Sequence, residues 1–313
     1  MRKSGKSKQI AWLLPAVAVA DLIVWGFGFN PATNPGMLGY PTQTTDFLKD
    51  KAPDRVVSLE APGKGIKSFI VPNYNSVVHL RDVQGADSLH TRRYHQMLEG
   101  VVIASEPGRT SAFSDPNTLH VPNVNHPFFN MMNVRYITTD SEVQMPPPFK
   151  KVQDAELAIW ENPNAFGPAW IPGGNAVQVS NWQEALGKVG DTSLDLKHTV
   201  LVDKPLTQGA GPATGKADVT SFSPHRISYA VDASGDGLMV TSEIYFPGWK
   251  AAVDGKSSPV LNADWILRAT TVPKGKHEVV FTYEPASYRI GLYLTVMSVG
   301  VFTGFLACKR RSF

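Results

Sequence analysis

The chain has 313 residues, with 30 Lys and Arg against 27 Asp and Glu, for a formal net charge of +3. Seven of the basic residues lie in the first eight and last five positions, so the positive balance belongs to the chain ends and excludes a nucleic-acid-binding surface. The single cysteine, Cys308, excludes an intramolecular disulfide, and the sequence lacks a nucleophile elbow, a phosphate loop and zinc-type Cys/His spacing.

A basic tail, residues 1–9, precedes an apolar run over residues 10–29. One interpretation is a signal peptide cleaved after Ala20, since Ala18-Val19-Ala20 has the A-x-A pattern of a cleavage site. The other is a transmembrane helix. The apolar run resumes beyond Ala20 and ends in aromatic side chains suited to a membrane interface, which favours the transmembrane helix.

Asp21 is the one acidic residue in this apolar run. A carboxylate in the middle of a span costs roughly 2.5 to 3.5 kcal/mol on insertion scales, so it is expected to face protein or water. The C-terminal apolar run offers only hydroxyl groups as partners. We therefore hypothesise that Asp21 contacts a helix of a partner subunit, with water or protonation as the alternatives.

Residues 30–208 are predicted to form an extracytoplasmic mixed α/β domain. After a proline-punctuated exit from the membrane, Thr44 or Thr45 is predicted to cap a short helix that runs to Lys51. Residues 88–103 carry apolar side chains at helical spacing and predict a second helix.

The same domain continues through alternating short elements. Ser180 and Gln183 form a predicted capping box for a helix that follows them. The other predicted elements are a helix leading into a strand over 126–139, and strands at 55–59, 76–80, 156–160 and 198–203.

Charged residues cluster where the helix over 88–103 begins. Asp87, Arg92 and Arg93 predict either an ion pair at the helix start or a site for a polar ligand at the domain surface. A metal site built on the nearby His90 and His95 is rejected, because five helical positions place their rings about 140° apart. No metal or cofactor is predicted.

The glycine-rich segment 209–215 is the predicted internal boundary. Beyond it, residues 216–285 alternate apolar and polar side chains in short runs, which predicts an antiparallel β-sandwich. Asp254-Gly255 predicts a hairpin turn, because both residues tolerate positive φ.

Tyr245, Trp249 and Asp254 are the candidate sugar-binding residues of this region. An aromatic face stacked on a pyranose ring, with a carboxylate accepting from its hydroxyls, is one interpretation. The other is that Trp249 belongs to the core and Asp254 serves only the turn, for which the Asp-Gly pair already gives a backbone reason.

Residues 290–308 carry no charge and are followed by the basic tail 309–313. Their length suits a helix that crosses about 30 Å of hydrocarbon. With basic residues at both ends, the sequence predicts an α+β protein anchored in the plasma membrane by one transmembrane helix at each end, with cytosolic termini and extracytoplasmic domains.

Several stretches resemble the bacterial YfhO-like membrane protein family. The most specific is SEIYFPGWKAAVDG at 242–255, followed by LRATTVPKGKHEVVFTYEPASYRIG at 267–291. Earlier stretches resemble the family in the same order: ADLIVWGFGFNP at 20–31, RDVQGADSLHTRRY at 81–94, MMNVRYITTD at 131–140 and ENPNAFGPAWI at 161–171.

The resemblance implies a connection to multi-spanning glycosyltransferases that use lipid-linked sugar donors. In that family the catalytic acids are expected in loops between early spans, which this sequence does not contain, so no catalytic residue is carried over. The expected role is therefore a non-catalytic part of envelope glycoconjugate assembly, alongside a separate multi-spanning subunit or as part of a longer gene product, with a saccharide or lipid-linked sugar as a further partner. A standalone glycan-binding or structural ectodomain is one alternative, and an active glycosyltransferase is the other.

Overall fold

The computed structural model describes residues 5–27, 34, 40–59, 70, 73–84, 91–105, 124–191, 193–203 and 211–311. They divide into two compact units, Met1–Pro41 and Thr42–Phe313.

The first unit contains one described helix, α1 (Gly5–Gly26), with Pro15 inside it. The apolar part of α1, Pro15–Gly26, is shorter than a membrane span, and two residues of the predicted span, 28 and 29, lie outside the described residues. The N-terminal span and its rival, the signal peptide, therefore both remain predictions.

The second unit is built from three β-sheets. Sheet I has the strand order β1-β2-β4-β3, sheet II the order β5-β10-β14-β13-β7-β6, and sheet III the order β12-β11-β15-β9-β8. The strands are β1 (Arg55–Ser58), β2 (Val134–Thr139), β3 (Lys150–Asp154), β4 (Ala158–Glu161), β5 (Ala169–Trp170), β6 (Asn175–Gln178), β7 (Thr199–Val202), β8 (Gly215–Ser223), β9 (Arg226–Ala233), β10 (Gly237–Ile244), β11 (Trp249–Val253), β12 (Lys256–Ser258), β13 (Leu261–Ala263), β14 (Leu267–Val272) and β15 (Gly275–Tyr283).

Short helices connect these strands. They are α2 (Gln43–Lys49), α3 (Tyr74–Val77), α4 (Arg92–Ser105), α5 (Pro127–Met131) and α6 (Trp182–Gly190). The chain between β1 and β2 contains α3, α4 and α5, which allows these two strands to pair in parallel, whereas the other pairs of sheet I are antiparallel.

Sheet II is the central layer, because its long strand β10 is buried on both faces. Leu238 and Val240 join a large apolar cluster with residues of sheet I, α4, α5 and α6. Met239, which points to the opposite face, joins a second cluster with Tyr229 and Phe281 of sheet III. This explains why Leu238, Met239 and Val240 follow one another without an intervening polar residue.

The distribution of strands corrects the predicted sandwich. Sheet III is antiparallel throughout and lies within 215–283. In sheet II, however, β10 pairs with β5 and β13 pairs with β7, and both β5 and β7 come from before the predicted boundary. The sandwich is therefore not formed by residues 216–285 alone. The fold is a mixed α/β arrangement of three sheets.

Three local predictions were wrong in detail. The strand predicted at 76–80 is instead the helical turn α3, which begins after Asn73 at φ 69°. The cap of α6 is Asn181, whose Oδ1 accepts from the Glu184 N–H at 2.9 Å, one position later than the predicted pair. The cap of α2 is Thr42 and not the predicted Thr44 or Thr45, although Thr45 completes the capping box, and the helix ends at Lys49 and not at Lys51.

The chain leaves β15 into α7 (Ala286–Arg311). Its segment Ala286–Leu306 is the one helix, within the described part of the chain, that is long and apolar enough to cross a membrane, and its side chains are exposed. Thr295, Ser298 and Thr303 donate their hydroxyl hydrogens to carbonyls one turn earlier, which satisfies these polar groups inside the helix.

Candidate functional site

A β-bulge sets the position of Glu243. The pairing of β10 with β14 shifts between Thr241 and Ile244, so the two residues at the bulge, Ser242 and Glu243, fall outside the regular register. Bulges re-aim side chains. Here the bulge lies where Glu243 meets arginines that approach from two sheets.

Three arginine side chains surround the Glu243 carboxylate. Oε1 lies 3.0 Å from Nη2 of Arg55 and also accepts from Nη2 of Arg81, while Oε2 lies 3.6 Å from Nη2 of Arg268. Arg55 is on β1, Arg268 is on β14, and the chain at Arg81 runs beside β1, where its carbonyl accepts from the Val56 N–H at 2.7 Å. Glu243 and the three arginines therefore join sheets I and II.

The arginines control the ionisation of Glu243. Burial by itself raises the pKa of Glu243, but the charges of Arg55, Arg81 and Arg268 outweigh it and lower the pKa to about 2. Burial also lowers the pKa of Arg268 to about 10, against the opposing charge of Glu243. Arginine keeps its proton in proteins, so three guanidinium groups around one ionised carboxylate leave two positive charges in excess.

The three arginines differ in how well they are hydrogen-bonded. Arg55 donates through Nη1 to the carbonyls of Met132 and Ser242, each at 2.8 Å, and Arg81 donates to that of Pro53 at 2.8 Å. Arg268 is 2% exposed, and its Nε and Nη1 lack a hydrogen-bond partner among the described residues.

The Arg268 guanidinium instead stacks on aromatic rings. Its Cζ lies 3.6 Å from the centroid of the Trp249 ring and 5.3 Å from that of Phe281. Trp249 in turn lies 5.2 Å from the Tyr283 ring. One face of Trp249 is thus covered by Arg268, and we call Arg55, Arg81, Glu243, Arg268 and Trp249 the arginine cluster.

This cluster lies at the end of sheet III nearest α7. Trp249 pairs with Tyr283, which precedes the first residue of α7 by three positions. Phe222 and Phe246, both 45% exposed, lie at the same end: Arg81 stacks on Phe222 at 4.3 Å, and Phe246 is 6.4 Å from Tyr283.

The predicted sugar-binding residues are not brought together. Trp249 begins β11 and Asp254 follows its last residue, so at about 3.3 Å per residue they lie about 16 Å apart. Asp254 has positive φ in the hairpin turn, and its carboxylate lies 2.6 Å from Nδ1 of His277 and accepts from the Glu278 N–H. Tyr245 donates its backbone N–H to Ile266 and is half-buried.

The two arginines at the start of α4 differ in their surroundings. Arg93 donates to Asn262, to the Trp265 carbonyl and to Asp203, at 2.7, 3.1 and 3.0 Å, and it stacks on the Trp265 ring at 4.3 Å. Arg92 is exposed at the helix start, and Asp87 lies outside the described residues. Arg93 thereby ties α4 to sheet II.

A separate pocket of about 400 Å³ lies beside α5 and α6. Its lining combines the Phe166 ring, amide groups and carboxylates, a mixture found in small-molecule sites of this size. The lining residues are Pro127, Asn130, Pro163, Asn164, Phe166, Asp191, Leu194, Asp195, Leu196 and Lys197.

The sequence did carry one signal for the arginine cluster. Arg81, Glu243 and Arg268 all lie in stretches that carry the family resemblance, but their separation along the chain hides the fact that they meet. Asp21 lies in α1, and the structure leaves the hypothesis of a partner contact untested.

Together, these features define a β-rich domain joined directly to a membrane-capable helix. Residues 199–295 match the profile of the family described as bacterial membrane protein YfhO, which confirms the resemblance over these residues. The matched range begins at β7, contains Glu243, Trp249 and Arg268, and ends inside α7. A comparison with curated proteins and one with solved structures each found no match.

Proposed function

We propose that this chain is the extracytoplasmic, membrane-anchored part of a YfhO-like glycosyltransferase system that assembles envelope glycoconjugates from lipid-linked sugars. The carrying observation is the family match, which runs without a break from sheets II and III into α7. A domain joined to its anchor by two residues, Glu284 and Pro285, is held close to the lipid surface, where lipid-linked donors are located.

In this proposal the chain does not transfer sugar by itself and acts with a multi-spanning subunit. Asp21 is the proposed contact to that subunit, since three hydroxyls of α7 already donate to their own helix. Asp21→Leu should therefore insert into membranes better and co-purify less well with the partner. Unchanged co-purification would count against the contact.

The topology can be tested with single-cysteine labelling. Cys308 is the only cysteine, so in a Cys308→Ser background a Ser257→Cys variant carries one thiol on the exposed strand β12. Ser257→Cys should react with a membrane-impermeant maleimide in intact cells, and the native Cys308 only after permeabilisation. The reverse pattern would place the domain in the cytosol and overturn the proposal.

The enzymatic part requires a second assay. Purified chain in proteoliposomes should transfer no sugar from polyprenyl-phosphate or nucleotide donors, and transfer should require the co-purified subunit. Turnover by the chain alone, lost on replacing an ectodomain carboxylate, would identify it as the enzyme.

A standalone glycan-binding ectodomain is the second candidate, and the pocket beside α5 and α6 favours it. Phe166 lies 5.3 Å from Trp170, edge to face, and its backbone N–H donates to the Asn130 carbonyl, so the ring is held in place. Saccharide titration of the purified chain tests this reading. Binding that is lost in Phe166→Ala and kept in Phe222→Ala would support it.

A further inference from the structure

Among the residues that the structure describes, the arginine cluster holds more positive charge than its one carboxylate balances. Glu243 serves three guanidinium groups, whose side chains are 8%, 14% and 2% exposed for Arg55, Arg81 and Arg268. Burying an unbalanced charge is costly unless a counter-charge or hydrogen bonds compensate. Two excess charges at one junction therefore indicate a place where an anion is stabilised.

Arg268 identifies which part of the cluster is unsatisfied. Its Nη2 is beyond hydrogen-bond distance of Glu243, and its Nε and Nη1 are buried without a partner among the described residues. Buried donors are almost always paired, and an orphaned donor on a charged group is especially unfavourable. The stack on Trp249 fixes the plane of the guanidinium but satisfies none of its N–H groups.

The cluster is not sealed from solvent. The side chains of Arg81 and Glu243 keep 14% and 13% of their surface exposed, and Phe222 covers Arg81 while itself being half-exposed. Arg81 therefore forms the accessible edge through which a ligand group would approach.

The location restricts the ligand further. Trp249, Tyr283, Phe222 and Phe246 gather at the end of sheet III that continues into α7, and aromatic rings of this kind favour the headgroup region of a bilayer. Phosphate groups are the abundant anions at that depth.

We propose that the arginine cluster binds a phosphate-type oxyanion, with Arg268 and Arg81 as its donors and Glu243 as the internal carboxylate that holds the arginines in place. Guanidinium groups suit this ligand because their planar N–H forks match phosphate oxygens. Two excess charges also match a phosphate group, which carries one to two negative charges near neutral pH. The proposal rests on the proposed function only for its membrane placement.

Calorimetry on the full chain in neutral detergent tests the site, with inorganic phosphate as one probe and short-chain phosphatidic acid as the other. Potassium chloride at matched ionic strength and short-chain diacylglycerol are the respective controls. Binding of both probes identifies a general oxyanion site, and binding of phosphatidic acid alone identifies a lipid headgroup as the source. If neither probe binds at millimolar concentration, the proposal is overturned.

Variants locate the bound anion. Arg268→Gln and Arg81→Gln should each weaken binding about tenfold or more, the loss of one charge-assisted hydrogen bond. Glu243→Gln should strengthen binding, because glutamine keeps an oxygen that can accept from the arginines and removes the negative charge that competes with the anion. Lys216→Gln, at an exposed lysine of β8, is the matched control and should bind as the wild type does.

The arginine variants are expected to weaken binding and Glu243→Gln to strengthen it. Because these changes are opposite in direction, the test remains decisive if one buried variant folds poorly. An arginine cluster that is only structural predicts that neither probe binds the wild type and that Glu243→Gln gains no binding. Binding that is unchanged in both arginine variants would place the anion elsewhere and overturn the proposal. Absence of binding by both probes, together with the expected outward-facing labelling, refutes this inference alone, whereas inward-facing labelling refutes the proposed function alone.

Discussion

Replacing Asp264 by asparagine should stabilise the protein increasingly as pH rises. Asp264 is 1% exposed, its Oδ1 accepts from the Leu201 N–H at 2.8 Å, and its Oδ2 has no partner among the described residues. Burial raises its pKa to about 7. Asparagine keeps an oxygen for the Leu201 N–H and tolerates the φ of 48° at this turn position.

The sign follows from proton binding. Because the pKa of Asp264 is higher in the folded than in the unfolded chain, the folded protein binds more protons between pH 3.8 and about 7, and its stability falls as pH rises through that window. At 1.36 kcal/mol per pKa unit, the cost present at pH 8 and absent below pH 3.8 is about 4 kcal/mol. Between pH 5 and pH 8 the change is about 2 to 3 kcal/mol.

Thermal unfolding of the detergent-solubilised chain measures this difference. Since 1 kcal/mol shifts the Tm of a domain of this size by about 2 to 4 °C, the Tm advantage of Asp264→Asn should grow by roughly 5 to 10 °C between pH 5 and pH 8. Asp218→Asn, at an exposed position on β8, should show no such growth. An advantage that does not change with pH would show that the buried carboxyl is ionised in both states, and would refute the argument.

Two further substitutions test backbone and side-chain geometry, each with a matched control. Gly248→Ala should destabilise by about 1 to 3 kcal/mol, because φ is 106° and the new Cβ would lie 3.0 Å from the Tyr283 ring. Gly187→Ala, inside α6 with open space around it, should instead stabilise by up to about 1 kcal/mol in the same denaturation assay. Arg93→Lys should lower the unfolding free energy by about 1 to 3 kcal/mol, because lysine cannot replace the forked hydrogen bonds of the guanidinium group. Arg92→Lys, at an exposed position, should leave the unfolding free energy unchanged. Equal effects of the two substitutions would contradict the role of Arg93.

Local turn and cap chemistry could be predicted from the sequence because it depends on neighbouring residues. The hairpin at Asp254-Gly255 is confirmed, with φ of 49° and 75°. The helix and strand over 126–139 are confirmed as α5 and β2. The strand predicted at 76–80 does not form. The Asn75 amide donates to Asp82 at 2.7 Å, and Asp82, which lies beyond the predicted strand, pairs with Val56 of β1. This pairing with a distant part of the chain is the non-local reason for the failure.

The arginine cluster could not be predicted because its residues come from four separated segments. Arg55 and Arg81 read as ordinary surface cations, and the alternation around Arg268 places it on a face whose partner is set by sheet packing. The sequence indicates Trp249 as a candidate binding residue but gives no sign that Arg268 stacks on it. The residue that joins them, Glu243, owes its direction to a bulge that no periodicity shows.

The sharing of sheet II across the predicted boundary has a consequence for the smallest fragment that can fold. A fragment of residues 211–285 keeps sheet III but only β10, β13 and β14 of sheet II, so Leu238, Val240 and Leu267 lose the apolar cluster that buries them. Exposing each such side chain costs about 1.5 to 3 kcal/mol, and three together approach the total stability of a typical domain. Fragment 211–285 should therefore be cut rapidly by protease and lack near-ultraviolet circular dichroism, whereas fragment 42–285, which keeps all three sheets, should resist protease. A cooperative unfolding transition in fragment 211–285 would instead show that the segment after the boundary is an independent domain.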